Sequence, residues 1–122
     1  MERIEEFGHE GKNFVYLDFS GLRSGEEFTN LLEQAKPVIS RYPEQSLYII
    51  TNIDNVRIDS GARELLIEYL TYNKPFIKYS AIIGVDGIKK MMIQSAMKQS
   101  GRDNVLFAFS KEKAIELVLK QK

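Results

Sequence analysis

The amino-acid sequence predicts an α/β fold with a mixed, mostly parallel sheet of four or five strands and four helices. Short apolar segments alternate along the chain with longer segments whose apolar residues recur every three or four positions. The fourth predicted strand ends in a run, residues 81–85, that is apolar without alternation, which is typical of a parallel strand covered on both faces. The predicted order of elements is β-β-α-β-α-β-α-β-α.

The first half of the chain contains three predicted strands and two helices. A glycine-containing connection, residues 8–12, joins strands at residues 3–7 and 13–19 as a hairpin. A helix is predicted over residues 24–40, because Ser24 and Glu27 form a capping box ahead of an apolar stripe. A short buried strand at residues 47–51 precedes the second helix, residues 62–73, which Pro75 terminates.

The second half adds a strand at residues 76–85, a helix at 87–101, a strand at 105–109 and a helix at 111–122. Gly101 is well placed to end the third helix, and Ser110 is the expected N-cap of the fourth. Parallel strands joined by helices require right-handed crossovers, which place the helices on the faces of the sheet. The first strand, joined by a hairpin, is expected to be an antiparallel edge.

Length and composition indicate one domain spanning residues 1–122. A chain of 122 residues with 43% hydrophobic residues can bury roughly two-thirds of its unfolded surface. The absence of cysteine excludes disulfides and thiolate metal sites. No apolar run follows the charged start of the chain, so we expect no signal peptide, and apolar runs of about five residues are too short for a membrane helix. These features predict a cytoplasmic protein without integral membrane segments.

The charges are balanced overall and unevenly distributed along the chain. Residues 1–73 contain 7 basic and 13 acidic side chains, whereas residues 74–122 contain 10 basic and 4 acidic side chains. Either the two halves lie apart and produce a field that steers partners, or they interleave in space and the field averages out. The zero net charge, without a stripe of alternating arginine and aromatic residues, argues against nucleic-acid binding.

Small polar residues follow the predicted strands, at the edge of an open α/β sheet where ligands commonly bind. Such residues suit either a phosphate or metal cleft or ordinary strand-to-helix turns, in which they hydrogen-bond the local backbone. We favour the turn interpretation, because no characteristic motif links them. The residues are Asp18, Ser20, Thr51, Asn52, Asp54, Asp86 and Ser110.

The familiar catalytic motifs do not match the sequence. The segment GVDGIKK, residues 84–90, has neither the spacing of a phosphate-binding loop nor that of the dinucleotide fingerprint. His9, the one histidine, falls in the predicted hairpin turn, far from the strand ends where a triad or metal cluster would be assembled. We therefore predict no catalytic residues, no metal site and no cofactor, and we do not expect an enzyme.

The third helix is rich in methionine. Its three methionines, two isoleucines and Ala96 cover more than one narrow stripe, and lysines flank them. Either this helix packs broadly into the core with methionines filling gaps, or it exposes an apolar patch that binds a protein partner, a second copy or an apolar small ligand with an anionic head. The candidate surface residues are Ile88, Lys89, Lys90, Met91, Met92 and Met97.

Three segments resemble the STAS domain, which sulphate transporters and anti-sigma factor antagonists share. They are DFSGLRSGEEF (residues 18–28), NKPFIKYSAIIGVDGIKKM (residues 73–91) and KQSGR (residues 98–102). With the order of elements, they make the chain similar to small stand-alone bacterial proteins of STAS-like, or CRAL-TRIO-like, fold over nearly its whole length. The resemblance implies a STAS-like domain whose helices lie largely on one side of the sheet.

The resemblance also draws attention to the start of the second helix. In anti-sigma factor antagonists, a partner kinase phosphorylates the serine of an Asp-Ser pair there, and the added charge switches binding. Asp59, Ser60 and Gly61 stand near that place, although the antagonist pattern has one more residue between serine and glycine. Asp59 or Ser60 would otherwise cap the helix, which is worth about 1 kcal/mol relative to alanine, and we favour this interpretation.

The sequence thus predicts a non-enzymatic STAS-like module that regulates by binding another protein, or itself, through the second and third helices. The alternative is a small carrier of an apolar, lipid-like ligand, for which the methionine-rich helix is the supporting feature. The position of the methionines distinguishes these functions, because a carrier requires them to line a cavity.

Overall fold

The computed structural model describes residues 2–57 and 61–121, which contain five strands and four helices. The strands are β1 (Ile4–His9), β2 (Lys12–Asp18), β3 (Leu47–Asn52), β4 (Ile77–Ile83) and β5 (Val105–Ala108). The helices are α1 (Gly25–Ile39), α2 (Ala62–Asn73), α3 (Gly87–Ser100) and α4 (Lys111–Leu119). The predicted α/β class and the predicted order of elements are confirmed.

The last two strands are shorter than the sequence pattern predicts. β4 ends before Gly84, because this residue takes a left-handed φ of 79° that does not continue a strand. β5 ends at Ala108, so Phe109 lies outside the sheet, directly before Ser110, the N-cap of α4. The loops after both strands therefore begin earlier than expected.

The five strands form one sheet in the order β1-β2-β3-β4-β5. β1 pairs antiparallel with β2 through a two-residue turn at Glu10 and Gly11, which both have the positive φ that such hairpins require. All other neighbouring strands pair in parallel. β1 is therefore the antiparallel edge that the hairpin predicted, and β5 is the opposite edge.

Three helices lie on one face of the sheet and the fourth lies on the other. The strand order follows the chain order, so each right-handed crossover returns on the same side, and α1, α2 and α3 cover one face. Leu32 of α1 and Ile93 of α3 are buried in the same cluster as Ile49 of β3. On the opposite face, Val118 of α4 is buried in a cluster with Tyr48. The one-sided helical layer that the STAS resemblance implied is confirmed.

A buried arginine joins α2, β4 and the loop between α3 and β5. Arg102 is 5% exposed, and its guanidinium donates to Leu70 O at 3.1 Å, Ser80 Oγ at 3.1 Å and Asn104 Oδ1 at 2.7 Å. The amide of Asn104 in turn donates to two carbonyls at the start of β4. Burial lowers the pKa of Arg102, but arginine remains protonated in proteins. These charge-assisted hydrogen bonds fix the end of α3 relative to α2 and β4.

The uneven charge of the sequence is only partly kept in the folded molecule. The strands β1, β2 and β3 come from the acidic first half and lie toward one edge, and β4 and β5 come from the basic second half and lie toward the other, whereas α4 packs across the sheet. A surface ion pair between Lys111 Nζ and Glu5 Oε1, at 2.7 Å, crosses between the halves. Each of the two interpretations of the charge pattern therefore holds in part, because the strands are separated by charge while Lys111 of the basic half reaches the acidic edge.

We predict that Arg102→Ala lowers the free energy of unfolding by about 3 kcal/mol, because it leaves buried acceptors without a donor and opens a cavity. Urea denaturation followed by circular dichroism measures the change. Lys98→Ala, at an exposed position of α3, is the control and should change this free energy by less than about 0.5 kcal/mol. A loss below about 1 kcal/mol for Arg102→Ala would contradict the structural role assigned to the arginine.

Candidate functional site

The polar residues at the carboxyl ends of the strands make local hydrogen bonds. Asp18 Oδ1 and Asn52 Oδ1 each accept from the backbone N–H two residues further on, at 2.9 Å. Asp86 caps α3 and Ser110 caps α4 in the same manner, each accepting from a backbone N–H of the first helical turn. The turn interpretation is confirmed for these four residues.

Thr51 forms a buried contact with α2. Its Oγ1 lies 2.7 Å from the hydroxyl of Tyr69, and both residues are almost fully buried. Burial raises the pKa of Tyr69 to about 12, so its phenol stays protonated near neutral pH. This pair of neutral hydroxyls connects β3 to α2 and belongs to the core.

Two kinds of feature are absent from residues 2–57 and 61–121. No three histidine, cysteine or carboxylate side chains gather there as metal ligands do, and no helix has the length and apolar character that crossing a membrane requires. His9 lies at the end of β1 beside the hairpin turn, where its Nε2 is 3.2 Å from the Glu10 carboxylate. His9 pairs with Lys12 at the amino end of β2, so its imidazole lies at the opposite end of the sheet from the carboxyl ends of the parallel strands.

Lys89 is buried, although the sequence pattern places it on the surface of α3. The residue is 8% exposed, and its Nζ donates to Ile53 O at 2.9 Å and Gly84 O at 3.4 Å. The ammonium group thereby joins the loop after β3 to the loop after β4. These loops touch directly, because a Cβ atom added to Gly84 would collide with Asp54 N. Lys89 is therefore not part of the exposed side of α3, although its side chain lines a crevice beside the helix.

The other candidate residues of α3 divide between the core and the surface. Met92 and Met97 are half-buried and pack against the core beneath the helical layer. Ile88 is 76% exposed and Met91, one turn later, is 73% exposed. Lys90 is also exposed. Each of the two sequence interpretations therefore describes part of this helix.

Phe109 is an exposed apolar residue that the sequence pattern did not single out. Its side chain is fully exposed, at 101%, and it lies at the same end of the sheet as the start of α3. The pattern assigned it to the last strand, in which alternation would place it on the same face as Phe107. Ser110 could have predicted the exposure of Phe109, because the strand must end before the N-cap of the next helix.

A crevice lies between the start of α3 and the end of β5. The chain leaves β4 toward the face that α3 covers, and it leaves β5 toward the face that α4 covers, so the two loops diverge. Ligands of open α/β sheets commonly bind where adjacent loops diverge in this way. The crevice has a volume of about 530 Å³, and its lining includes Asp54, Asp86, Lys90, Phe107 and Phe109.

A small apolar recess lies between the starts of α1 and α2. Its lining includes Phe28, Val56, Leu65 and Met92. The volume of about 30 Å³ has room for one or two water molecules, whereas small-molecule sites have roughly 300–1,000 Å³. The recess therefore has no room for an acyl chain.

The start of α2 is described only from Gly61 onward. The predicted phosphorylation switch or cap at Asp59 and Ser60 lies outside the described residues, so it stays a prediction. Gly61 is the N-cap of α2, and its carbonyl accepts a helical hydrogen bond at 3.2 Å. Arg63, which the sequence places near Ser60, donates from Nε to Ser95 Oγ at 3.1 Å and so connects α2 to α3.

The fold is shared with a solved structure of a STAS domain protein. That structure, of an anti-sigma-factor antagonist (STAS) domain protein from Planctomyces limnophilus, aligns with a TM-score of 0.62 and 13% sequence identity, over 96% of this chain and 98% of that chain. No protein-family model matches the chain, and no curated protein matches its sequence. The chain therefore has a STAS-like fold, which confirms the resemblance. At 13% sequence identity, the similarity shows the fold alone.

We predict that Gly84→Ala lowers the free energy of unfolding by about 2 kcal/mol or more, because alanine would be strained at a φ of 79° and its Cβ would collide with Asp54 N. Gly87→Ala is the matched control, since a Cβ atom at that position meets nothing within 4 Å. Its effect should stay within about 0.5 kcal/mol. Chemical denaturation measures both changes, and equal effects would show that the two loops do not pack as described.

We predict that stability declines as pH rises from 10 to 12, because the pKa of Tyr69 is raised from 10 to about 12 in the folded protein. The unfolded chain then loses the phenolic proton first, so the unfolded state becomes favoured as pH rises. Tyr69→Phe should lose about 1 kcal/mol at neutral pH, through the missing hydrogen bond, and should decline less steeply above pH 10. Urea denaturation across this pH range measures both curves, and parallel declines would contradict the prediction.

Proposed function

We propose that this chain is a non-enzymatic, cytoplasmic protein-interaction module of STAS-like fold, which docks a regulatory partner protein through the outward side of α3. The observation that best supports the proposal is the exposure of Ile88 and Met91, at 76% and 73%, one turn apart on that helix. Together with Phe109, they are the large apolar side chains that are exposed within the described part of the chain. Exposed apolar groups of this size favour a binding surface.

The surface on α3 suits docking because it rests on fixed elements. The buried Nζ of Lys89 holds the loops at the start of the helix, and Arg102 holds its end. A preorganised surface loses little conformational entropy on binding. Burial of an isoleucine or methionine side chain contributes roughly 1.5–3 kcal/mol, so Ile88 and Met91 together suit a binding hot spot.

The crevice beside α3 favours a polypeptide over a small charged ligand. Its lining combines the carboxylates of Asp54 and Asp86, two lysines, Lys89 and Lys90, and the rings of Phe107 and Phe109. Protein interfaces combine apolar anchors with a rim of both charges in this way. The carrier alternative has weaker support, because the apolar recess of about 30 Å³ cannot hold an acyl chain.

The similarity of fold supports the same class of function. The Planctomyces limnophilus protein is described as an anti-sigma-factor antagonist (STAS) domain protein. For the present chain we carry over only the general class, regulation through protein binding, and leave its partner to experiment.

Site-specific photo-crosslinking tests the proposal. With p-benzoylphenylalanine in place of Met91, irradiated cells of the source organism should yield a discrete adduct whose second protein is identified by mass spectrometry. The probe in place of Glu112, exposed on α4, is the matched control and should not capture that protein. Ile88→Asp should remove the adduct, because a carboxylate would have to be desolvated beside the partner.

Four outcomes bear on the proposal in different ways. A partner captured at position 91 and lost with Ile88→Asp supports docking through α3. The same proteins captured from positions 91 and 112 would contradict it, as would the absence of any adduct. A covalently or tightly bound lipid found by native mass spectrometry would favour the carrier alternative instead.

A further inference from the structure

We propose that the outer edge of β1 binds an extended segment of another protein, which adds a strand to the sheet and in which basic residues alternate with apolar residues. The proposed site is separate from the docking surface on α3, because β1 lies at the far edge of the sheet from β4 and β5, the strands that flank α3 in the chain.

Every second residue of β1 directs its backbone groups away from the sheet. The two-residue turn makes the residues that flank it a hydrogen-bonded pair, and at the other end of the hairpin Asp18 N donates to Arg3 O at 2.8 Å. Hydrogen-bonded pairs alternate along an antiparallel ladder, so Ile4, Glu6 and Gly8 point their N–H and C=O groups to the open edge. Such a row of backbone groups is a template for another strand.

A groove of about 620 Å³ lies between this edge and α1. We call it the edge groove; its lining includes the apolar residues Ile4, Leu31 and Val38 and the carboxyl residues Glu2, Glu6 and Glu27. Successive side chains of a strand point to opposite faces of a sheet, so every second side chain of an added strand enters the groove. Lysine or arginine suits this mixed lining, because its apolar stem can lie along the aliphatic side chains while its charged head reaches a carboxylate.

The edge groove keeps a negative charge after its own cations are counted. Its lining contains three carboxylates and one arginine, Arg3, which lies 4.0 Å from the carboxylate of Asp18. Arg41, outside the lining, contacts Glu6 Oε2 at 3.0 Å. With these two neighbours included, four carboxylates face two guanidinium groups. Glu27 accepts from a backbone N–H and a hydroxyl group, which are neutral donors and leave its charge in place.

The opposite face of β1 offers an apolar contact. Phe7 of β1, Phe14 of β2 and Tyr48 of β3 stack across the sheet, with successive ring centroids 5.1 and 5.2 Å apart. This row ends at Phe7, which is half-buried, so an apolar side chain on an added strand would extend it. Lys111 already compensates Glu5 on this face, at 2.7 Å. The two faces of β1 therefore select basic and apolar side chains in alternation.

The charges disfavour a second copy as the added strand. Pairing of β1 with β1 of another copy would bring Glu2, Glu5 and Glu6 alongside the same carboxylates, and like charges on neighbouring strands are destabilising. The other edge strand, β5, has the sequence VLFA, without lysine or arginine. A separate polypeptide with alternating basic and apolar residues satisfies both faces of β1.

Amide hydrogen exchange followed by nuclear magnetic resonance tests the proposal. The probe is a synthetic peptide of six residues, the length of β1, in which lysine alternates with valine. At saturating peptide, the amides of Ile4, Glu6 and Gly8 should exchange about tenfold or more slowly, whereas those of the intervening residues, already bonded to β2, should change much less. The absence of saturable binding, or equal protection of both sets of amides, would overturn the proposal.

Altered peptides separate strand addition from a general attraction between charges. Glutamate in place of lysine should weaken binding about tenfold or more. An added strand bonds to β1 through every second residue, so N-methylation of alternate backbone amides should abolish binding in one of the two registers and leave it nearly unchanged in the other. Equal effects in the two registers would show that the peptide adheres by charge alone, and would overturn strand addition.

Charge-reversal variants locate the groove. Glu2→Lys with Glu6→Lys should bind the lysine peptide about tenfold or more weakly and should bind the glutamate peptide instead. Glu44→Lys with Glu64→Lys, at exposed positions outside the groove, changes the net charge equally and should retain binding of the lysine peptide. An equal loss in this control, or no gain of the glutamate peptide by the groove variant, would overturn the proposal. Circular dichroism checks that each variant folds.

The same exchange measurement tests a second copy as the occupant. Rising protein concentration without peptide should leave the exchange of the three outward amides unchanged. Protection that grows with concentration would identify a second copy at this edge and overturn the proposed basic partner. Because these readouts concern β1 and the crosslinking experiment concerns Met91, failure of this proposal is distinguishable from failure of docking through α3.

Discussion

The position of α3 depends on two buried cations that are satisfied by neutral acceptors. Among the described residues, neither Arg102 nor Lys89 has a carboxylate within ion-pair distance. Their hydrogen bonds go to backbone carbonyls, a serine hydroxyl and an asparagine amide. A buried charge is costly unless such bonds are kept, so any movement of α3 that breaks them is strongly opposed. The exposed side of α3 is consequently presented on a rigid base.

The order of the strands is the second constraint, and it acts on the whole surface. Because each strand is added beside the previous one, the helical layer forms on one face, and α4 must cross to the other. This arrangement leaves β1 without a covering helix and makes the loops after β4 and β5 diverge. The crevice beside α3 and the uncovered edge strand β1 therefore share one topological cause.

Local chemistry was predictable from the sequence, whereas burial of individual polar groups was not. Helical spacing and capping residues such as Ser24 and Asp86 are local signals, and the elements and turns follow from them. Lys89 illustrates the limit, because its ammonium donates to carbonyls in the loops after β3 and β4. The sequence around Lys89 does not predict these long-range hydrogen bonds. Phe109 shows the same limit at a strand end, where one residue decides between core and surface.

Amide hydrogen exchange of α3 in the free protein tests the central claim most directly. If the buried contacts of Arg102 and Lys89 hold this helix in place, its amides should exchange as slowly as those of β3, through global unfolding. In Arg102→Lys, which cannot reproduce the planar fork of hydrogen bonds, exchange in α3 should accelerate while β3 remains protected. Rapid exchange throughout α3 in the unaltered protein, with β3 protected, would contradict the account, because the docking surface would then open independently of the core.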